Sequence, residues 1–314
     1  MARSNILITG GSGFIGSHMA TRFSELGHSV RIFDNFSTGR RENIAHLDGK
    51  VEVIEGDLVH LEECERACHD IDFIFHVAAL PSVPVSIERP LDTHDSNITG
   101  TMNLLLAAKA NKCRRVIYSG SSSCYGEIEV SPKHEGLRPQ PISPYAAQKL
   151  ASEYYMSVFY HCYGLETLTA RYFNVFGPRQ NPKSQYAAVI PAFVTSILND
   201  EQPTIYGDGT QSRDFTYIEN ILHAYMLAIE VDKTCGQSIN VACGSNTNLL
   251  TIVEKINQCL GKNVQPKFAA PRAGDVKHST ADISAAKKLL GFEPVVHFEE
   301  GLKHTIEYFA SQTK

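Results

Sequence analysis

A tyrosine and a lysine four residues apart, in Tyr145-Ala-Ala-Gln-Lys149, follow a run of three serines, Ser121-Ser122-Ser123. On a helix that spacing brings a phenol and an ammonium onto one face. A tyrosine with an ordinary pKa of about 10 is a poor base at neutral pH, and a neighbouring ammonium favours its phenolate. Such a tyrosine can take a proton from a substrate hydroxyl and return it. The start of the helix is legible, because Ser143 suits an N-cap and Pro144 the first helical position. Tyr145 then stands in the first turn, at the mouth of whatever the helix faces.

A frame for these residues is readable upstream. Asn5 to Thr9 reads as a short buried strand ending in glycines, and Phe14 to Leu26 as a helix stopped by Gly27. Further strands are expected at Ser29 to Phe33, Val51 to Glu55, Phe73 to Val77, Arg115 to Ser119 and Glu166 to Ala170. Helices are expected around Leu61 to Cys68, Asp95 to Ala110 and Pro144 to Tyr163. Strands alternating with helices at this spacing predict an α/β fold, a parallel sheet covered on both faces. From Gly177 onward, Pro- and Gly-rich connections join shorter elements, and Ile239 to Ala242 reads as a late strand returning to the sheet.

Composition bounds the function. The chain has 314 residues, 43% hydrophobic and 20% charged, as in an ordinary globular protein. A net charge of -5 gives no reason to expect nucleic acid as a partner. The eight cysteines form no CxxC pair and no Cys/His cluster at zinc spacing, so no metal is expected and reduced thiols are. Neither a signal peptide nor a membrane span is expected. These readings place the protein in the cytoplasm.

Gly10, Gly13 and Gly16 follow a GxxGxxG spacing between the first strand and the first helix. Glycines there permit a tight turn and let backbone N–H groups approach a pyrophosphate at the helix N-terminus. Asp34 ends the second strand about twenty residues on, where a carboxylate can hold both ribose hydroxyls and repel a 2′-phosphate. That favours NAD over NADP. Arg40 and Arg41 could counter it, but they lie farther along the loop. Asp57 is placed to meet the adenine end, and Ala78 and Ala79 leave room for backbone against the cofactor.

These pieces stand in one order with several others: Asp34-Asn35, Gly56-Asp57-Leu58, His76-Val77-Ala78-Ala79, Ser121 to Gly126, Tyr145 to Lys149 and Arg171 to Gly177. Tyr206-Gly207-Asp208-Gly209, Ser212-Arg213-Asp214-Phe215 and Arg272-Ala273-Gly274-Asp275 follow. Together they resemble the extended short-chain dehydrogenase/reductase family, and within it the UDP-hexose 4-epimerases (UDP-glucose and UDP-N-acetylglucosamine 4-epimerases), over essentially the whole chain. The resemblance implies a Rossmann doubly wound sheet over residues 1–174, to which the chain returns around 214–243. It implies a smaller mixed α/β domain for the nucleotide-sugar over 175–314.

By the same resemblance the protein is an isomerase with tightly bound NAD, and a homodimer through the helices near Asp95 to Ala110 and Pro144 to Tyr163. Leu104, Leu105 and Ala108 would serve that interface or a monomer core equally well. The implied cofactor residues are Gly10, Gly13, Phe14, Ile15, Gly16, Asp34, Asn35, Asp57, Leu58, Ala78, Ala79, Asn97, Ser119, Phe173, Tyr145 and Lys149. Tyr145 would act as base at the sugar 4′-hydroxyl, with Ser121 beside the 4′-oxygen and Lys149 and the nicotinamide stabilising the phenolate. Ser123 would make a further substrate contact, and Ser122 is structural. Asn174, Arg213 and Arg272 would hold the UDP diphosphate, with Asp275 near the uridine ribose. Tyr206, Val189 and Phe193 would lie toward the uracil, and Asp208 and Asp214 would shape loops.

Related dehydratases carry Asp-Glu after the Ser/Thr position, and decarboxylases of UDP-glucuronate a Glu in that region. Here Ser122-Ser123 stands in their place, which favours simple epimerisation. A UDP-glucuronate 4-epimerase stays open, as does a dinucleotide-sensing regulator, which would need the glycine loop but not the Tyr/Lys/Ser set. In these epimerases a bulky Tyr after the Arg-x-Gly-Asp segment restricts the enzyme to glucose and galactose. Ser279 stands at that position, Ala188 is also small, and Pro81-Ser82-Val83 resembles members that favour N-acetyl sugars. Acceptance of UDP-GlcNAc and UDP-GalNAc is therefore expected beside UDP-Glc and UDP-Gal.

Overall fold

The computed structural model of the chain describes residues 3–182, 188–270 and 278–312. Strands β1 (Asn5–Thr9), β2 (Ser29–Asp34), β3 (Glu52–Glu55), β4 (Phe73–His76), β5 (Arg115–Ser121), β6 (Glu166–Tyr172) and β7 (Gln237–Val241) form one sheet. Their order is β3-β2-β1-β4-β5-β6-β7, with every pair parallel. This is the Rossmann doubly wound arrangement. β1 shows why the run Ile6-Leu7-Ile8 is apolar throughout. Ile6 and Ile8 join one core with Phe23 and Phe75, Leu7 joins the other with Ile74 and Val116, and all three β1 residues are fully buried.

Helices α1 (Phe14–Glu25), α2 (Leu61–Cys68), α3 (Val83–Glu88), α4 (Pro90–His94), α5 (Gly100–Ala110) and α6 (Pro144–Tyr163) interleave with these strands. The helical stretch before β5 starts earlier than the expected Asp95. Ser82 caps α3, its Oγ accepting the Val85 N–H at 3.3 Å, and Pro90 opens α4. Two short helices punctuated by a cap and a proline carry too few residues to show a 3.6-residue period. α6 begins as expected, with Ser143 Oγ accepting the Ala146 N–H at 3.1 Å, and stops at Gly164 in the left-handed region, φ 71°.

Beyond β6, α7 (Val189–Leu198) and α8 (Ile218–Glu230) pack with short strands rather than a second large sheet. Ser212–Arg213 pairs with Thr247–Asn248 on one side and His278–Ser279 on the other, placing Arg213 opposite Ser279. Leu104, Leu105 and Ala108 are fully buried in the monomer core beside α2. They are therefore unavailable to a partner subunit.

Candidate active site

At the edge between β1 and β4 the strand order reverses, and their last residues, Thr9 and His76, are register partners. The crevice beyond those carboxyl ends opens into a cavity of about 970 Å³ that reaches Arg213 and Ser279. Gly10, Gly13, Phe14, Ile15, Gly16, Asp34, Asn35, Asp57, Leu58, Ala78 and Ala79 line one end. Gly10 has φ +68°, and a Cβ there would lie 2.8 Å from the Ala78 backbone; one at Gly16 would lie 2.2 Å from the Gly10 carbonyl oxygen. α1 starts without a side-chain cap, so its first N–H groups are left for an anion.

Asp34 is 7% exposed and fixes the rim of this cradle. Its two carboxylate oxygens accept the Ser12 N–H at 2.9 Å and the Phe36 N–H at 2.8 Å, leaving lone pairs for ribose hydroxyls. Arg40 pairs with Glu42 at 3.4 Å. Arg41 pairs with Glu55 at 2.5 Å and stacks over Phe36. Both arginines thus have carboxylate partners, and the site suits NAD with no phosphate on its ribose.

In the middle of the cavity stand Tyr145 and Ser121. Tyr145 is half-buried, and its N–H donates to Ser86 Oγ at 3.0 Å, tying the first turn of α6 to α3. Ser123 donates both its N–H, at 3.2 Å, and its hydroxyl, at 2.9 Å, to Ser121 Oγ. With its lone pairs so occupied, Ser121 has a proton to offer. Burial pushes the Tyr145 phenol up to about 12, against which a hydrogen bond with Ser121 acts. Lys149 is buried one layer behind; its ammonium donates to the Ser119 carbonyl at 2.9 Å and lies over the Tyr118 ring. Burial lowers it to about 7.

This differs from the sequence expectation of a phenol lowered by its lysine. Within the protein's own groups, desolvation dominates both side chains, and the ammonium is turned to a backbone carbonyl. Ser119 serves through that carbonyl, its hydroxyl being bound to Tyr225 at 2.7 Å.

Of the remaining expected residues, Ser82, Ser123, Asn174, Ala188, Arg213 and Ser279 line the cavity. Asn97 lies behind the wall, its Oδ1 accepting the Leu80 N–H at 2.9 Å and its Nδ2 donating to Gln148. Phe173 is fully buried beside Tyr125. Val189 and Phe193 point into the core from the apolar face of α7, and Tyr206 ends a small strand pair with Lys267–Ala269. None of these five is among the residues lining the cavity; packing holds Phe173, Val189 and Phe193 in the core, whereas Tyr206 is 36% exposed. Arg272 and Asp275 lie outside the described residues.

Sequence reasoning missed the scaffold beneath Lys149. His76 bonds Thr9 Oγ1 and Thr101 Oγ1, each at 2.9 Å. Thr101 gives its proton to the Asn97 carbonyl, so His76 donates from Nε2 and accepts from Thr9 at Nδ1. Burial, then the charge of Lys149, hold His76 neutral by lowering it to about 3. Thr9 also accepts the Ala78 N–H at 3.2 Å, clamping β1 to the β4 loop. A histidine ending one apolar strand beside a threonine ending another is the signal that was available.

Residues 6–242 match the sequence profile of the NAD dependent epimerase/dehydratase family. The UDP-N-acetylglucosamine 4-epimerase of Methanobrevibacter ruminantium M1, solved with UDP-N-acetylmuramic acid, is 43% identical with a TM-score of 0.95, covering 99% of this chain and 100% of that one. The UDP-glucose 4-epimerase of Thermotoga maritima, solved with UDP-glucose, is 36% identical with a TM-score of 0.94, at 99% and 100% coverage. UDP-glucuronic acid decarboxylase 1 of Xenopus tropicalis is 34% identical over 317 residues, 99% of this chain and 73% of that protein. Since the profile spans the sheet from β1 to the end of β7, the chain belongs to the NAD dependent epimerase/dehydratase family.

Proposed function

We propose that the protein interconverts UDP-hexoses epimeric at C4′, with N-acetylated sugars among its substrates. The observation that carries this reading is one continuous cavity joining the glycine cradle, the Tyr145–Ser121 pair and Arg213. The likeness to the Methanobrevibacter ruminantium and Thermotoga maritima 4-epimerases supports it. The glycine cradle and Asp34 would hold NAD, which when bound would supply a reversible hydride acceptor for C4′. Tyr145 moves the proton at the 4′-oxygen, and Ser121 orients that oxygen with its own hydroxyl proton. Lys149, held by the Ser119 carbonyl, keeps a positive charge behind the phenol when protonated. Arg213 grips the diphosphate with its guanidinium while the sugar presents its other face. Ser122 and Ser123 supply no carboxylate, so elimination and decarboxylation lack their acid and base. Incubating the purified protein with a panel of UDP-hexoses tests the proposal; no C4′ interconversion of any of them overturns it.

Substrate breadth rests on Ala188 and Ser279, two small side chains on the cavity wall. Ser279→Tyr is expected to lower kcat/KM for UDP-GlcNAc by at least about tenfold relative to UDP-Glc, since the added ring fills space an acetamido group needs. An unchanged ratio would withdraw the assignment of Ser279 as the gate.

The homodimer reading shifts to different residues. Tyr154 and Val158 are one turn apart on α6 and 55% and 45% exposed, with Leu106 on α5 at 37% and Leu91 on α4 at 76%. Apolar side chains left outside on adjoining helices fit a second copy of the chain. Val158→Asp is expected to convert a dimer to a monomer in light scattering, and a wild-type monomer would dismiss the interface.

A further inference from the structure

Lys133 lines the sugar side of the cavity with 3% of its surface exposed. Its backbone is pinned from both sides: the N–H donates to the Thr280 carbonyl at 2.7 Å, and its carbonyl accepts the Asp282 N–H at 2.8 Å and Asn240 Nδ2 at 3.0 Å. A single bridge pairs Lys133 with Ala281, two residues past Ser279. The ammonium has no hydrogen-bond or ion-pair partner among the described residues. Burial moves its pKa downward, with no countercharge opposing the shift among the described residues.

Among the described residues, the carboxylates on the segments that hold the Lys133 backbone already accept hydrogen bonds from other groups. Glu135 accepts the Asn240 N–H at 2.6 Å, and Asp282 accepts the Ser284 N–H at 2.8 Å. Asp214 holds the N–H groups of Cys243, Gly244 and Ala281. An ammonium set in a cavity wall without an anion is partly desolvated and uncompensated. The protein keeps this one on the wall of a ligand site, beside the residue that borders the sugar's substituent.

Resting on the UDP-hexose reading above, we infer that Lys133 is a specificity residue that reads a carboxylate carried by the hexose. A carboxylate on C6′, as in a uronic acid, and one on an ether at C3′ share this chemistry. A neutral acetamido carbonyl would accept a hydrogen bond but leave the charge uncompensated, so the acid is the better match.

The test measures inhibition or turnover constants of the full-length protein for UDP-GlcNAc, for UDP-glucuronate and UDP-N-acetylglucosaminuronate (C6′ acids), for UDP-N-acetylmuramate (a C3′ ether acid) and for UDP. Wild-type protein is expected to prefer at least one acid over UDP-GlcNAc, and the preferred probe identifies the carbon that bears the carboxylate. Lys133→Gln should lose roughly 10- to 100-fold more on that acid than on UDP-GlcNAc. Lys133→Met, which retains the apolar stem, carries the same comparison if the glutamine variant does not fold. Wild-type preference for the neutral sugar over every acid overturns the inference, and so does an equal loss on UDP alone, which would make Lys133 a diphosphate contact. Absence of epimerisation on every sugar would instead overturn the reading of the enzyme itself.

Discussion

Tyr145→Phe is expected to lower kcat for C4′ interconversion by about a thousandfold, the scale of a lost general acid–base group. The affinity for UDP is expected to stay within about twofold, because only a hydroxyl is removed and the diphosphate end lies elsewhere. The ring still fills its half-buried place, and the backbone bond to Ser86 does not involve the phenol. The structure explains why so much depends on one proton. Within the protein the phenol stands at about 12 and Lys149 at about 7, both displaced by burial. At neutral pH the tyrosine is thus protonated until charges arriving with the ligands favour its phenolate, and Phe has nothing for them to act on. Steady-state turnover with UDP-GlcNAc and calorimetry with UDP separate the two effects. Turnover near the wild-type rate would remove Tyr145 from the chemistry.

The parts of this site that the sequence made legible are those dictated by local geometry. Gly10 and Gly16 could be read because a backbone turn and a close approach exclude every Cβ, and the structure places those virtual atoms against Ala78 and Gly10. Ser143 and Pro144 could be read because a helix start is specified within four residues. β1 announced itself because both faces of a central strand are buried. What stayed hidden depends on partners far along the chain. Val189 and Phe193 are apolar or aromatic, as a base-stacking wall would be, but so is any core, and only packing separates the two. Leu104 and Leu105 posed the same ambiguity, which their complete burial resolves. The upward displacement of Tyr145 by burial is not legible in sequence, because spacing reports a neighbouring charge and says nothing of desolvation. Lys133, Glu135 and Asn240 meet across 107 and 105 positions of sequence, with no periodic pattern to join them.

A second large effect is expected in stability, from a buried pair no local pattern announces. Arg171 on β6 and Glu153 on α6 are 4% and 5% exposed, joined through Nε at 2.9 Å and Nη2 at 2.5 Å. Hydrogen bonding to Glu153 and its charge hold the guanidinium above its ordinary pKa despite burial. Removing the carboxylate in Glu153→Ala leaves a buried cation facing a cavity, expected to cost about 3–5 kcal/mol in a urea titration. Arg171 also donates to the Tyr125 hydroxyl at 2.8 Å, which donates to Asn240 at 2.8 Å, and Asn240 holds the Lys133 and Asp282 carbonyls. The loss should therefore travel toward the sugar side. In the protein that remains folded, KM for UDP-hexose should rise while NAD retention, governed by β1 and α1, is spared. Replacing both partners together, in Glu153→Leu/Arg171→Met, should recover most of the stability, since an apolar pair carries no desolvation penalty. If Glu153→Ala unfolds at the wild-type urea midpoint, the pair is not the brace between α6 and the sheet.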